Sequence, residues 1–306
     1  MFGKKKKIKN YDFYENSVPV VYTQKSNREQ ITKDAIDEIN SMIGLSEVKK
    51  QILRQCAKIK SNQLRKEKGI KVNNNQTNHM IFLGNPGTGK TVCARLVAKL
   101  LFGYNVLPTD TFCEVSRNEL VGDSYKSSTQ KVTDVFTKSL GGVLFIDEAY
   151  TICYGKGDIG GKEAVDTLIK LMEDKKDDIA VIMAGYTKEI NEFLQTNPGF
   201  SSRIPEDNII YFSDYTDNQL MDIFKLMITN DGYKFDESVA DSDIKKCINI
   251  IRKNGNARDI RNFADKVKSE LDIEIYCLSK ECQIDDKKLI TINKKILYHA
   301  LPEFSL

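Results

Sequence analysis

Residues 80–91, Met-Ile-Phe-Leu-Gly-Asn-Pro-Gly-Thr-Gly-Lys-Thr, leave this chain few folds to choose from. The four apolar residues Met80 to Leu83 predict a buried strand, and the glycine-rich segment after them a tight turn. Lys90-Thr91 then open a run in which Val92, Cys93, Leu96, Val97, Leu100 and Leu101 recur at helical spacing, with Gly103 placed to end it. Strand, GxxxxGK[ST], helix is the phosphate-binding loop. Its glycines let successive backbone N–H groups curl round an anion without Cβ interference, and the helix N-terminus adds partial positive charge at the same point. On this reading Asn85, Pro86, Gly87, Thr88, Gly89, Lys90, Thr91 and Val92 bind a nucleotide. Lys90 reaches the β- and γ-phosphates, and the Thr91 hydroxyl ligates Mg²⁺.

Downstream, strand and helix patterns alternate. Thr111–Ser116, Val143–Ile146, Ile179–Ala184 and Asn208–Phe212 read as strands, the apolar runs being continuous rather than alternating. That pattern predicts strands buried on both faces, hence a five-stranded parallel sheet with helices on both sides. After Phe212 the strands stop, and helices follow: one opened by a capping box at Thr216–Gln219, one through Ile244–Ile251, and a long one through Ile260–Leu278. Upstream, Leu45, Val48, Ile52, Cys56 and Ile59 share one face of a long helix. The predicted organisation is an N-terminal extension over 1–33 beginning with the basic run Lys4–Lys7, an α/β domain over 34–213, and an all-helical domain over 214–306.

The strand Val143–Ile146 ends in Asp147-Glu148. In open α/β sheets ligands bind outside the carboxyl ends of the strands, so both acids are expected at the same edge as the phosphate loop. Asp147 suits the Walker-B role beside Thr91 on Mg²⁺, and Glu148 that of the base that activates an attacking water.

Composition narrows the partners. A formal charge of +3 over 306 residues makes no electrostatic case for nucleic acid. No apolar run approaches the ~18 residues needed to span a bilayer, and no apolar stretch of a signal peptide follows the N-terminal lysines. The seven cysteines are scattered without a CxxC pair and only two histidines are present, so a structural zinc site is not expected and a reducing, cytoplasmic setting is.

The segment Gly141-Gly142-Val143-Leu144-Phe145-Ile146-Asp147-Glu148-Ala149-Tyr150 resembles the Walker-B region of one group of AAA+ ATPases. That group holds the stage V sporulation protein K proteins and the red-type rubisco activases. Ala164–Leu168, Met172–Asp174, Ala184-Gly185-Tyr186 and Asn197–Phe200 are similar to it too, and the likeness runs from about Ile43 to Asn262. The resemblance implies Mg²⁺-dependent ATP hydrolysis by a ring, in the family a hexamer, that remodels a protein substrate, with the C-terminal helices as its lid. It implies further roles: Ile43 and Gly44 line the adenine pocket, Arg203 is the arginine finger acting on a neighbouring subunit's nucleotide, and Arg258 is the sensor-2 arginine. Asn256 stands where it can cap the helix carrying Arg258. The aromatic of the substrate-gripping pore loop is displaced by one residue, to Tyr125 in Ser124-Tyr125-Lys126. Tyr186 and Thr187 both stand where a polar sensor-1 residue belongs, at the end of the fourth strand.

Two other readings share these motifs: a nucleotide-switched clamp-loader or initiator acting on nucleic acid, and a scaffold that binds ATP without turning it over. The C-terminal helices lack the basic cluster that the first requires, and Lys90, Glu148 and Arg203 together argue against the second.

Overall fold

The structure, a computed structural model, describes residues 26–71, 77–123, 126–155, 157–253, 255–280 and 285–302. In the first part of the chain, helices α1 (Ser26–Ser41) and α2 (Ser46–Glu67) precede β1 (Met80–Gly84) and α3 (Lys90–Gly103). Strand β2 (Phe112–Val115), the single turn α4 (Arg117–Leu120), α5 (Ser127–Lys138), β3 (Val143–Ile146) and α6 (Ile159–Asp174) follow. The sheet is completed by β4 (Ala180–Gly185), α7 (Thr187–Thr196), the turn α8 (Pro198–Ser201) and β5 (Ile209–Phe212). All pairs in this sheet are parallel, in the order β2-β3-β4-β1-β5.

Side chains alternate across the sheet, but both sets are apolar. Phe82, Phe145 and Ile182 face α1, α2 and α3, with Leu96, Leu100 and Ile52 among their partners. Ile81, Leu144 and Val181 face α5 to α8, against Val132, Leu168 and Phe200. This two-sided burial is why the strands read as continuous apolar runs.

The lid consists of α9 (Asp217–Asn230), α10 (Asp241–Ile251), α11 (Ala257–Ser279) and α12 (Lys294–His299), packed round Phe224, Ile248, Phe263 and Val267. The capping box opens α9 as expected: Gln219 N donates to Thr216 Oγ1 (3.3 Å) and Thr216 N to Gln219 Oε1 (2.9 Å). The lid is not wholly helical, because β6 (Lys234–Phe235) pairs in parallel with β7 (Thr291–Ile292). Two-residue strands carry no periodicity that a sequence can show.

The boundary expected at residue 33 falls inside α1. That helix buries only Ala35 and Ile39, too narrow a stripe to stand out, and is held by Arg28. The Arg28 guanidinium donates to the carbonyls of Phe102 and Pro108 and lies 4.0 Å from the centre of the Phe102 ring. The Phe102 carbonyl in the last turn of α3, which also accepts from Asn105 N (2.9 Å), thus gains a charged donor. In the first turn of α5, Ser128 Oγ accepts from Gly122 N (3.0 Å). The Lys4–Lys7 run and Tyr125 lie outside the described residues.

His79, fully buried at the start of β1, ties β4 and α6 to that strand. Val181 N donates to its Nδ1 (3.0 Å), so Nε2 carries the proton and donates to the Met172 carbonyl (3.1 Å). Burial pushes its pKa from 6.5 down to about 4. The folded state therefore keeps His79 neutral, while the unfolded chain takes up a proton below about pH 6.5. Stability tied to His79 is complete above that pH and is lost as pH falls towards 4. Urea melts at pH 7 and 4.5 should show a loss about 2–3 kcal/mol larger in the wild type than in a His79→Gln variant. Equal pH dependence in the two proteins would contradict a neutral, buried imidazole.

A candidate nucleotide site at the strand ends

The carboxyl ends of β1, β3 and β5 converge under the lid. Strand β1 runs into the loop 84–89, whose Gly87 (φ +68°) and Gly89 (φ +94°) hold conformations that L side chains rarely adopt. A Cβ on Gly87 would lie 2.1 Å from the Gly255 carbonyl oxygen and 2.7 Å from Arg258 N, so only glycine lets the loop meet the start of α11. The contact is a hydrogen bond, Ala257 N to Gly87 O (3.2 Å).

Around it the structure builds a clasp that the sequence did not announce. Asn256 stands at the N-cap position of α11 but makes no side-chain cap. Its Nδ2 donates to Asp214 Oδ1 (2.9 Å) and Pro86 O (3.3 Å), and its Oδ1 accepts from Tyr215 N (3.1 Å). Asn85 Nδ2 donates to the same Asp214 carboxylate (2.9 Å). Phosphate loop, interdomain link and lid thus share one polar cluster around the buried Asn256, which serves as donor and acceptor at once. Its backbone (φ +49°, ψ −127°) departs from the extended conformation of an ordinary N-cap.

A cavity of about 610 Å³ opens beside this clasp. Pro86, Gly87 and Gly89 to Val92 form its floor, Asp147 and Glu148 one wall, and Met42, Ile43, Ile223, Leu226 and Met227 an apolar end. Volume and make-up suit a ligand with an apolar ring at one end and several charges at the other. Lys90 Nζ donates to the carbonyls of Gly84 and Asn85 (both 2.8 Å). Burial pushes its pKa down, while Asp147 and Glu148 pull it back up. Gly44 lies beside the cavity rather than in its wall; at φ +65° a Cβ there would sit 2.8 Å from Gln219 Nε2, so glycine lets the segment after Ile43 lie against α9. Thr88 is buried, its Oγ1 donating to Asn85 O (2.8 Å).

The lid adds two cations, Arg258 and Arg261, one turn apart on α11. Neither guanidinium makes a hydrogen bond or ion pair among the described residues. Sequence reasoning missed Arg261, although its spacing of three from Arg258 puts both on one helix face. Asp147 and Thr91 bring carboxylate and hydroxyl oxygens to this cavity, the donor set a hard divalent cation takes.

Arg203 does not line this cavity. It borders another, of about 450 Å³, with Lys58, His79, Glu173 and Lys176. Its Nη1 donates to Gly199 O (2.9 Å) and Ser202 Oγ (3.1 Å), and its Nε lies 3.3 Å from Glu173 Oε2 at an angle that makes no hydrogen bond.

Comparison with known proteins agrees with this architecture. The model of the ATPase family associated with various cellular activities (AAA) matches residues 80–208, and that of the AAA lid domain residues 216–295. Stage V sporulation protein K of Bacillus subtilis is 43% identical over 242 residues, covering 77% of this chain and 74% of that protein. The chain belongs to the AAA family of ATPases. Within the family this AAA ATPase is also similar to the ESX-1 secretion system protein EccA1 of Mycobacterium tuberculosis, 33% identical over 294 residues. That match covers 92% of this chain but 51% of EccA1. Its likeness is therefore spread over distinct branches rather than confined to one. The RuvB Holliday junction branch migration motor of Thermotoga maritima shares the fold, with a TM-score of 0.56, 19% identity, and 84% and 68% of the two chains covered. Among the described residues of this AAA ATPase no helix is long and apolar enough to cross a membrane.

Proposed function

We propose that this AAA ATPase works as a subunit of a ring, a hexamer in the family it resembles, that couples ATP hydrolysis to the remodelling of a protein substrate. Among its relatives, the group of stage V sporulation protein K and the red-type rubisco activases is the one we assign it to. The reading is carried by one observation: Arg203 borders a cavity of its own, while Lys90, Thr91, Asp147, Glu148 and Arg258 share the other. A guanidinium separate from its own chain's phosphate loop is what catalysis between neighbouring subunits requires.

On this reading the apolar end at Ile43 takes the adenine ring, backed by Gly44, and the amides of Pro86 to Thr91 take the phosphates. Asn85, also assigned to the nucleotide site, braces the loop through Asp214. Thr91 and Asp147 would hold Mg²⁺, which neutralises charge on the phosphate oxygens when bound. Glu148 receives the proton of the attacking water. Arg258, on the lid helix that touches the loop through Ala257, links the state of the nucleotide to the angle of the lid. Tyr125 is the candidate for gripping the substrate polypeptide.

Turnover measured against protein concentration tests the ring. The rate per subunit should rise as light scattering reports assembly. A rate that stays flat through the assembly transition would overturn catalysis across a subunit interface.

A further inference from the structure

Tyr150 follows the acid pair by two residues. Glu148 sits at φ +49°, a left-handed conformation uncommon outside glycine, and a 3₁₀ turn over Ala149–Ile152 follows at once. Thr151 N donates to Glu148 O (2.8 Å), closing that turn and bringing Tyr150 back beside the glutamate. The Tyr150 hydroxyl donates to Glu148 Oε2. Among the described residues Oε1 makes no such bond, and Glu148 lines the nucleotide cavity.

The ring that carries this hydroxyl is seated by the strand between the phosphate-loop strand and the acid strand. β4 pairs with both β1 and β3 and ends in Gly185, where a Cβ would lie 2.9 Å from Tyr150 Cδ1. The Tyr186 ring flanks it, with centroids 6.2 Å apart. Tyr186 and Thr187, the two sequence candidates for a polar residue at this strand end, are absent from the cavity lining. Thr187 is exposed as the first residue of α7.

We propose that Tyr150 is the positioning residue of the catalytic base: its hydroxyl holds one oxygen of Glu148 and leaves the other turned to the attacking water. The inference rests on the assignment of Glu148 as that base. In the step concerned, the water oxygen bonds to the terminal phosphorus, the bond to the ADP oxygen breaks, and the water proton passes to Glu148. A carboxylate pinned at one oxygen loses the rotational freedom that would otherwise have to be frozen out at the moment of reaction. Burial, then the hydrogen bond to Glu148, raise the Tyr150 pKa, so the phenol keeps the proton it donates.

Tyr150→Phe tests this, because it removes the hydroxyl and keeps the ring on Gly185. kcat should fall by about 10- to 100-fold, the worth of one hydrogen bond to a charged group. KM and the affinity for a fluorescent ATP analogue should stay within about twofold, since the phosphates are held elsewhere. In a Glu148→Gln background the same change should leave the residual single-turnover rate unaltered, because its target is gone. A Tyr150→Phe kcat within twofold of wild type, or above it, while Glu148→Gln abolishes turnover, would overturn the role of Tyr150 and leave the base assignment standing. Wild-type turnover in both variants would overturn the two together. A fall in kcat that persists in full in the Glu148→Gln background would show that Tyr150 acts through something other than the base.

Discussion

Replacing Arg203 by alanine is expected to lower kcat by about 10³-fold or more, roughly 4 kcal/mol of transition-state stabilisation, with nucleotide affinity nearly unchanged. Arg203 now spends its donors on Gly199 O and Ser202 Oγ and rests against Glu173, an acceptor set that a neighbour's phosphoryl oxygens would replace. Arg203→Lys should recover little, because an ammonium lacks the planar fork that spans two phosphoryl oxygens. The decisive measurement mixes Arg203→Ala with Lys90→Ala. Neither variant should turn over ATP alone, yet mixed rings should regain activity. There the intact loop of one subunit meets the intact guanidinium of the next. In a head-to-tail ring assembled at random, roughly a quarter of interfaces carry that pairing. A mixture as inactive as its components would show that Arg203 does not act between subunits.

Glu148→Gln should cost about 10²–10⁴ in kcat while the protein still binds ATP and assembles. The amide fills the carboxylate's volume, so the walls of the cavity persist. The change also removes one negative charge from a site that must hold a polyanion, so affinity for ATP should hold or rise. Single-turnover hydrolysis and titration with a fluorescent nucleotide separate the two effects. Hydrolysis no slower than wild type would mean that another group takes the proton. Because the variant is expected to arrest the loaded state, it is also the form with which to capture a protein substrate from the native host.

Much of the fold could be read without coordinates because its determinants are local. A strand buried on both faces must be apolar throughout, as Val143–Ile146 and Ala180–Gly185 are, and a loop that wraps an anion must place glycines where φ turns positive, as Gly87 and Gly89 do. The acids follow β3 directly, so their position at the sheet edge needs only the parallel order of the strands. α1 escaped because two buried residues in a polar helix leave no pattern; Arg28 bonding to carbonyls far along the chain and the Lys99–Glu38 ion pair help to hold it. The neighbourhood of Asn256 in sequence suggests a cap, and only the approach of Asp214 and Tyr215 from another segment takes its side chain elsewhere.

By itself, then, the order of residues determined the layers, the loop and the chemistry each motif can perform, since all of these depend on spacing within a few turns. The tertiary structure decided which groups share a cavity: it brought Arg258 and Arg261 to the phosphate loop, parted Arg203 from the loop of its own chain, and seated the ring of Tyr150 on Gly185 with its hydroxyl on Glu148. Those placements depend on neighbours from other strands and helices. No periodicity encodes them, because they follow from how the sheet and lid pack in three dimensions.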